Sequence, residues 1–167
     1  MSARGAGVIG VVVVLTAVVS VPTATTTPRQ LAKPPSSIVQ FGYVRSLAAS
    51  GGAYRMRFDP ALWLSGETAN RAARADGVIG QGETVPNDYY IRNESTKPLA
   101  YRVPATARVT IVALAAGPVS TRITVPELAA ITRGRNPKQR KLYGRGLGYW
   151  AGIVGDRAIR LDQQYQP

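Results

Sequence analysis

Two absences bound the chemistry of this chain. Its 167 residues include no histidine and no cysteine, which removes the usual general base near neutral pH, every Ser-His-Asp arrangement, thiol nucleophiles and ordinary zinc sites. Carboxylates, a serine–lysine pair or an oxygen-only metal site are what is left. The acids are densest at Asp59, Glu67, Asp76, Glu83 and Asp88. Asp59 and Asp88 are the pair that could serve a carboxylate-dependent hydrolase, one giving and one accepting a proton across a scissile bond. No spacing rule puts any two of the five on one face, however, and each also suits a cap or a turn. Asp76, Glu83 and Asp88 lack the alternating acidic loop of recognisable calcium sites. Neither a metal nor a cofactor is expected.

The ionic chemistry is cationic. Lysine and arginine number 21 against 9 acids, a formal net charge of +12. The excess is uneven, since residues 101–167 hold eleven basic residues against three acids while residues 29–100 hold nine against six. Six of the eleven are Arg133, Arg135, Lys138, Arg140, Lys141 and Arg145, interspersed with Gly134, Pro137, Gly144 and Gly146. This reads as a long mobile basic loop, which attracts polyanions through a term that weakens steeply with salt. The plain alternative is a merely solvated loop in a chain that uses 17 arginines to 4 lysines. A second candidate contact is the string Val85-Pro86-Asn87-Asp88-Tyr89-Tyr90-Ile91-Arg92-Asn93. Here Asn-Asp after Pro is turn chemistry, and Tyr90 beside Arg92 either meets a sugar ring or peptide or completes the core. Asn93-Glu94-Ser95 has the form of a glycosylation acceptor.

These side chains need a scaffold, and its pattern is mostly period two, the mark of half-buried strands. Tyr54, Met56 and Phe58 alternate with Arg55 and Arg57. Val39, Phe41 and Tyr43 alternate with Gln40 and Gly42, Leu47 continuing the phase. Ser50-Gly51-Gly52 lies between, so residues 39–58 read as an antiparallel hairpin. Further strands are expected at 99–103, 109–114 and 123–125, with a short one at 89–92. The last pair, 149–154 and 158–161, turns on Gly155-Asp156, a sequence suited to a type II′ hairpin. Asp59-Pro60 reads as an N-cap and first helical position leading into residues 61–64. Ser65 then caps a helix over 66–76 that stops at Gly77. Thr124 with Glu127 has capping-box spacing and opens a second helix ending at Arg133-Gly134. The expected fold is mainly β, a small antiparallel β-barrel or sandwich of about seven short strands with two short helices.

At the amino terminus, nothing from Gly5 to Pro28 carries a charge and the centre reads Val8-Ile9-Gly10-Val11-Val12-Val13-Val14-Leu15. Arg4 ahead of that run gives the order of an export signal. Residues 1–24 are either a signal peptide cut near Ser20 or Ala24 or a retained anchor, the apolar run being somewhat short of the roughly 20 residues that span a bilayer. Residues 25–37, rich in Pro, Thr and Ser, form a tether, and residues 38–167 a single β-rich domain long enough to pack a core without disulfides. Phe58-Asp59-Pro60-Ala61, Leu64-Ser65-Gly66, Asp76-Gly77, the Pro86 to Asn93 string and the closing Asp162-Gln163-Gln164-Tyr165-Gln166-Pro167 resemble a group of uncharacterised exported proteins of high-GC Gram-positive (actinobacterial) bacteria. The resemblance implies source and export and brings no activity with it. The expectation is an exported, non-enzymatic envelope-associated binding domain on the outer face of the membrane or beyond it. Its partners are anionic envelope polymers, lipid head groups, each nearby basic residue contributing about 1 kcal/mol at such a surface, or a protein. Export disfavours nucleic acid, and the absence of cysteine rules out a disulfide-linked partner. A carboxylate-dependent hydrolase and a small extracellular enzyme inhibitor are the alternatives.

Overall fold

The period-two runs become strands whose order closes a barrel. In the computed structural model, which describes residues 37–94 and 97–167, the strands are β1 (Ser37–Ser50), β2 (Ala53–Pro60), β3 (Leu62–Ser65), β4 (Tyr89–Arg92), β5 (Leu99–Val103), β6 (Arg108–Leu114), β7 (Pro118–Ile123), β8 (Tyr149–Val154) and β9 (Arg157–Gln163). Two helices accompany them, α1 (Gly66–Ala75) and α2 (Val125–Ile131). The main sheet runs β5-β2-β1-β8-β9-β6-β7, and an additional β5–β9 pairing closes β5, β2, β1, β8 and β9 into a five-stranded barrel. Strands β2 and β5 follow β1 in sequence while β8 returns to lie on its other side, which is a Greek-key connection. The expected signal or anchor (1–24) and nearly all of the tether lie outside the described residues. Among the described residues no helix is long and apolar enough to cross a membrane.

One buried core joins Met56 and Phe58, Val103, Ala151 and Ile153, and Ala158 and Leu161 of the barrel strands to Val109 and Ile111 of β6 and to Leu128, Ala129 and Ile131 of α2. Ala158 and Leu161 are three residues apart because the β8–β9 register shifts between them. The hairpin expected over 39–58 forms, Ser50 pairing with Ala53 around Gly51-Gly52. Its side-chain phase is broken, however. The β1–β2 register shifts between Val44 and Ser46, and the extra residue reverses the faces. Leu47 enters the barrel core, whereas Phe41 points outward to meet Trp63 and Trp150 at ring-centroid distances of 5.1 and 5.2 Å. Gly42 is required on the inward side, because a Cβ there would lie 2.3 Å from the carbonyl oxygen of Asp59.

Residues 61–64 are not the helix that Asp59-Pro60 suggests. Pro60 ends β2, and Leu62–Ser65 pairs antiparallel with Tyr89–Arg92 as a second, two-stranded sheet. Asp59 has no helix to cap because it is committed to the barrel. Only 1% exposed, it accepts from Arg45 at 2.9 and 2.5 Å and from Asn93 at 3.0 Å. Helix α1 follows after Ser65 and is stopped by Gly77 at φ 71°. It packs Ala69 and Ala73 against Val85, Leu64 and Tyr90 in a small satellite core. The strand expected at 123–125 lies earlier, as the edge strand β7, since Thr124 caps α2 by accepting from the Glu127 amide at 3.3 Å. The β8–β9 turn takes Gly155 at φ 61°.

Candidate functional site

The six basic residues of the 133–145 segment do not form a free loop. Its middle is stitched to β6, the Leu114 amide donating to the Lys141 carbonyl at 2.7 Å and the Tyr143 amide to the Val112 carbonyl at 3.1 Å. Asn136 closes a turn by donating to the Arg140 carbonyl at 2.6 Å and accepting from its amide at 3.0 Å. Three of the six cations are partnered. Arg140 donates to Glu127 at 2.7 Å, Lys138 lies 3.1 Å from the same carboxylate, and Arg133 donates to the Leu47 carbonyl at 3.2 Å. Glu127 is 4% exposed. Burial pushes its pKa up, but the hydrogen bonds from Arg140 and Lys138 outweigh that and hold the carboxyl below the usual glutamate value. Arg133, Arg135 and Lys138 line a concavity of about 660 Å³ over α2, with Thr124, Pro126 and Glu127 as its floor. The side chains of Arg135, Lys141 and Arg145 make no ion pair among the described residues.

Tyr90 and Arg92 are brought together, by an internal partner. Both reach Asp76 just past the end of α1: the Tyr90 hydroxyl donates at 3.0 Å, and the Arg92 guanidinium donates through Nε at 2.8 Å and through a terminal nitrogen. The Arg92 hydrogen bond holds the Asp76 pKa below the ordinary aspartate value, against a smaller opposing effect of desolvation. The Asp59–Asp88 pair is not assembled. Asp59 is sealed beneath Arg45, whereas Asp88 stands exposed on a single 3-10 turn over Pro86–Asp88. Neither lines any of the five concavities described for the domain. Among the described residues no group of three or more potential protein ligands is placed to hold a metal ion.

A set of arginines that the sequence reading did not single out has the most unusual geometry. Arg55 on β2 stands directly opposite Arg102 on β5, and Arg102 is in turn the register partner of Arg157 on β9. Their neighbours Met56, Val103 and Ala158 face the core, so the three guanidinium groups share the outer wall in one lateral row. Strands lie about 4.8 Å apart, and like charges set directly opposite one another destabilise a sheet. A second such pair, Arg108 opposite Arg160, stands further along β9. Arg160 is balanced by Asp162. None of Arg55, Arg57, Arg102, Arg108 and Arg157 has an acidic partner among the described residues. Arg102 is shared by two hollows at this end of the barrel. One, of about 420 Å³, is completed by Gly52, Thr106 and Arg157, and the other, of about 260 Å³, by Ser50, Tyr54 and Arg55. The row also approaches the basic segment, for Arg133 is held at Leu47, one residue from the Ala48 that faces Arg55. Alternation of Arg55 and Arg57 along β2 is visible in sequence; the alignment across three strands depends on registers that alternation does not set.

A different surface lies on the outer wall of β1 and β8. Trp63, Trp150, Val39 and Leu62 form a cleft of about 400 Å³ with Gln40, Arg92 and Glu94 at its edges. Trp63 is stacked on Tyr89 at 4.3 Å, and the Trp150 indole nitrogen donates to Gln164 at 2.8 Å, so both rings are held in place. Compared with known proteins, the chain matches no family model, no curated protein and no solved structure.

Proposed function

We propose that this chain is an exported, non-enzymatic binding domain whose ligand is an anionic polymer or anionic surface of the cell envelope. The observation that carries the reading is the Arg55–Arg102–Arg157 row. Placing three cations about one strand spacing apart with no acid between them costs folding energy. A ligand that supplies oxyanions to all three offsets that cost, and guanidinium groups bind such anions in bidentate fashion. Arg135, Lys141 and Arg145, which make no ion pair among the described residues, add charge on the segment that Arg133 fastens beside the same barrel wall. A hydrolytic role has less support, because the two carboxylates best suited to it share no cleft.

The test is retention of the full chain on immobilised polyphosphate as salt is raised. Replacing Arg55, Arg102 and Arg157 together by serine is expected to lower the slope of log affinity against log salt by roughly two, since each neutralised phosphate of a single-stranded polyanion contributes about 0.7. Serine at Arg135, Lys141 and Arg145 measures the share of the basic segment. An unchanged slope in the first variant overturns the assignment of the row.

A further inference from the structure

The arginine row and the tryptophan cleft lie on the same outer wall, and the β8–β9 ribbon joins them. Outward-facing pairs along that ribbon are Trp150 with Asp162, Gly152 with Arg160, and Val154 with Arg157. At the middle pair Gly152 has no side chain and the Arg160 stem leans over it, a Cβ at Gly152 meeting the Arg160 Cβ at 3.2 Å. A hollow of about 200 Å³ sits there, bounded by Val39, Trp150, Arg160 and Asp162. It shares Val39 and Trp150 with the tryptophan cleft, and the next outward arginine along β9 is Arg157 of the row. Along this wall lie two fixed indole rings, the hollow at Gly152 and, beyond the bulged and exposed Ile159, three guanidinium groups without an acidic partner among the described residues. From Trp150 to Val154 alone the stretch covers about 13 Å at the rise of an extended strand, more than one sugar ring or one phosphate fills.

From this juxtaposition we infer that the ligand is an anionic glycan: an extended chain of sugar rings carrying phosphate or sulfate groups, its rings against Trp63 and Trp150 and its anions on Arg157, Arg102 and Arg55. The inference rests on the polyanion reading above and adds the ring-binding half. A purely inorganic polyanion uses the arginines and leaves the cleft empty. An apolar peptide or lipid tail fills the cleft but sets nothing against the arginines. A glycan satisfies both ends, because the apolar face of a pyranose packs on an aromatic ring while its hydroxyls meet Arg92 and Glu94 at the rim.

The chain contains two tryptophans and both line this cleft, so intrinsic fluorescence reports its occupancy. Full-length protein is titrated with dextran sulfate (rings and anions), polyphosphate of matched charge (anions alone), neutral dextran (rings alone) and glucose 6-phosphate (one ring, one anion). Dextran sulfate is expected to bind at least about tenfold more tightly than polyphosphate and to shift tryptophan emission, which polyphosphate leaves unchanged. Glucose 6-phosphate is expected to bind at least about a hundredfold more weakly than dextran sulfate. Gly152→Val crowds the hollow and pushes the Arg160 stem aside, and is expected to reduce dextran sulfate affinity to the polyphosphate level, leaving polyphosphate binding on the Arg55–Arg102–Arg157 row intact. Trp150→Leu provides a second variant should valine disturb the ribbon. Equal affinity for the two polymers, equal emission changes, or a glucose 6-phosphate affinity matching dextran sulfate overturns the glycan inference. If the arginine variant still weakens both polymers in that case, the polyanion reading stands alone; if it weakens neither, that reading falls with it.

Discussion

Glu127 stands three residues after Thr124, the spacing of a capping box, and one half of that device forms: the threonine hydroxyl accepts from the Glu127 amide. The other half does not, because the glutamate side chain turns to Arg140 and Lys138. Nothing in the local sequence distinguishes the two fates, since the partners arrive from a segment 11 and 13 residues further on. The arrangement has a pH signature. A carboxyl whose folded pKa lies below its unfolded value contributes stability that is complete above the unfolded value, 4.5 for this group, and is lost as pH falls through the folded one. Glu127→Gln is therefore expected to cost about 1 kcal/mol at pH 7, the scale of one hydrogen bond to a charged group discounted for its half-exposed cationic partners. The difference from the parent should vanish near pH 2. Urea unfolding at the two pH values checks this, and a pH-independent difference would show that packing rather than the ion pairs accounts for the loss.

At the scale of elements, strand positions were legible and strand faces less so. The hairpin, β5, β6, β8 and β9 follow from alternation and turn residues, as does α1 between Ser65 and Gly77. Phe41 and Leu47 look like members of one face, six residues apart. The register shift after Val44 separates them, and a bulge leaves no mark in alternation because it is set by what the strand packs against on each side. Residues 61–64 mislead for the opposite reason: Asp59-Pro60 is good helix-start chemistry locally, but the contact of the buried Asp59 carboxylate with the half-exposed Arg45 and pairing with β4 decide the outcome. With Phe41 turned outward, the β3–β4 sheet and the barrel are held together by an aromatic cluster of Phe41, Trp63, Tyr89 and Trp150. Phe41→Ala is expected to destabilise the domain by about 3–5 kcal/mol and to move tryptophan emission to the red, because both indoles lose a face to water. Loss of stability without that spectral change would place the defect in the barrel instead.

For the whole molecule, the sequence carried the fold class, the charge asymmetry and the classes of catalysis excluded by missing histidine and cysteine. It also pointed to the 133–145 segment, whose cations turn out to divide between internal pairing at Glu127 and Leu47 and open surface at Arg135, Lys141 and Arg145. The barrel wall stayed hidden because Arg55, Arg102 and Arg157 are 47 and 55 residues apart in the chain and meet only when β5 closes the barrel against β9. That closure makes a prediction that separates a functional cluster from an incidental one. Arg102 sits between the other two, so Arg102→Thr removes both repulsive contacts of the row and places a good strand former on an exposed strand position. The variant is expected to be more stable than the parent by a few tenths to about 1 kcal/mol at low ionic strength. The gain should shrink in 1 M salt, where the screening length falls to about 3 Å, while polyphosphate affinity at low salt drops. Thermal unfolding at two salt concentrations, paired with the binding measurement, reads all three effects. A variant less stable than the parent at low salt would mean that the stacked guanidinium stems hold the barrel seam together, and the row would then be structure rather than a site kept at the expense of stability.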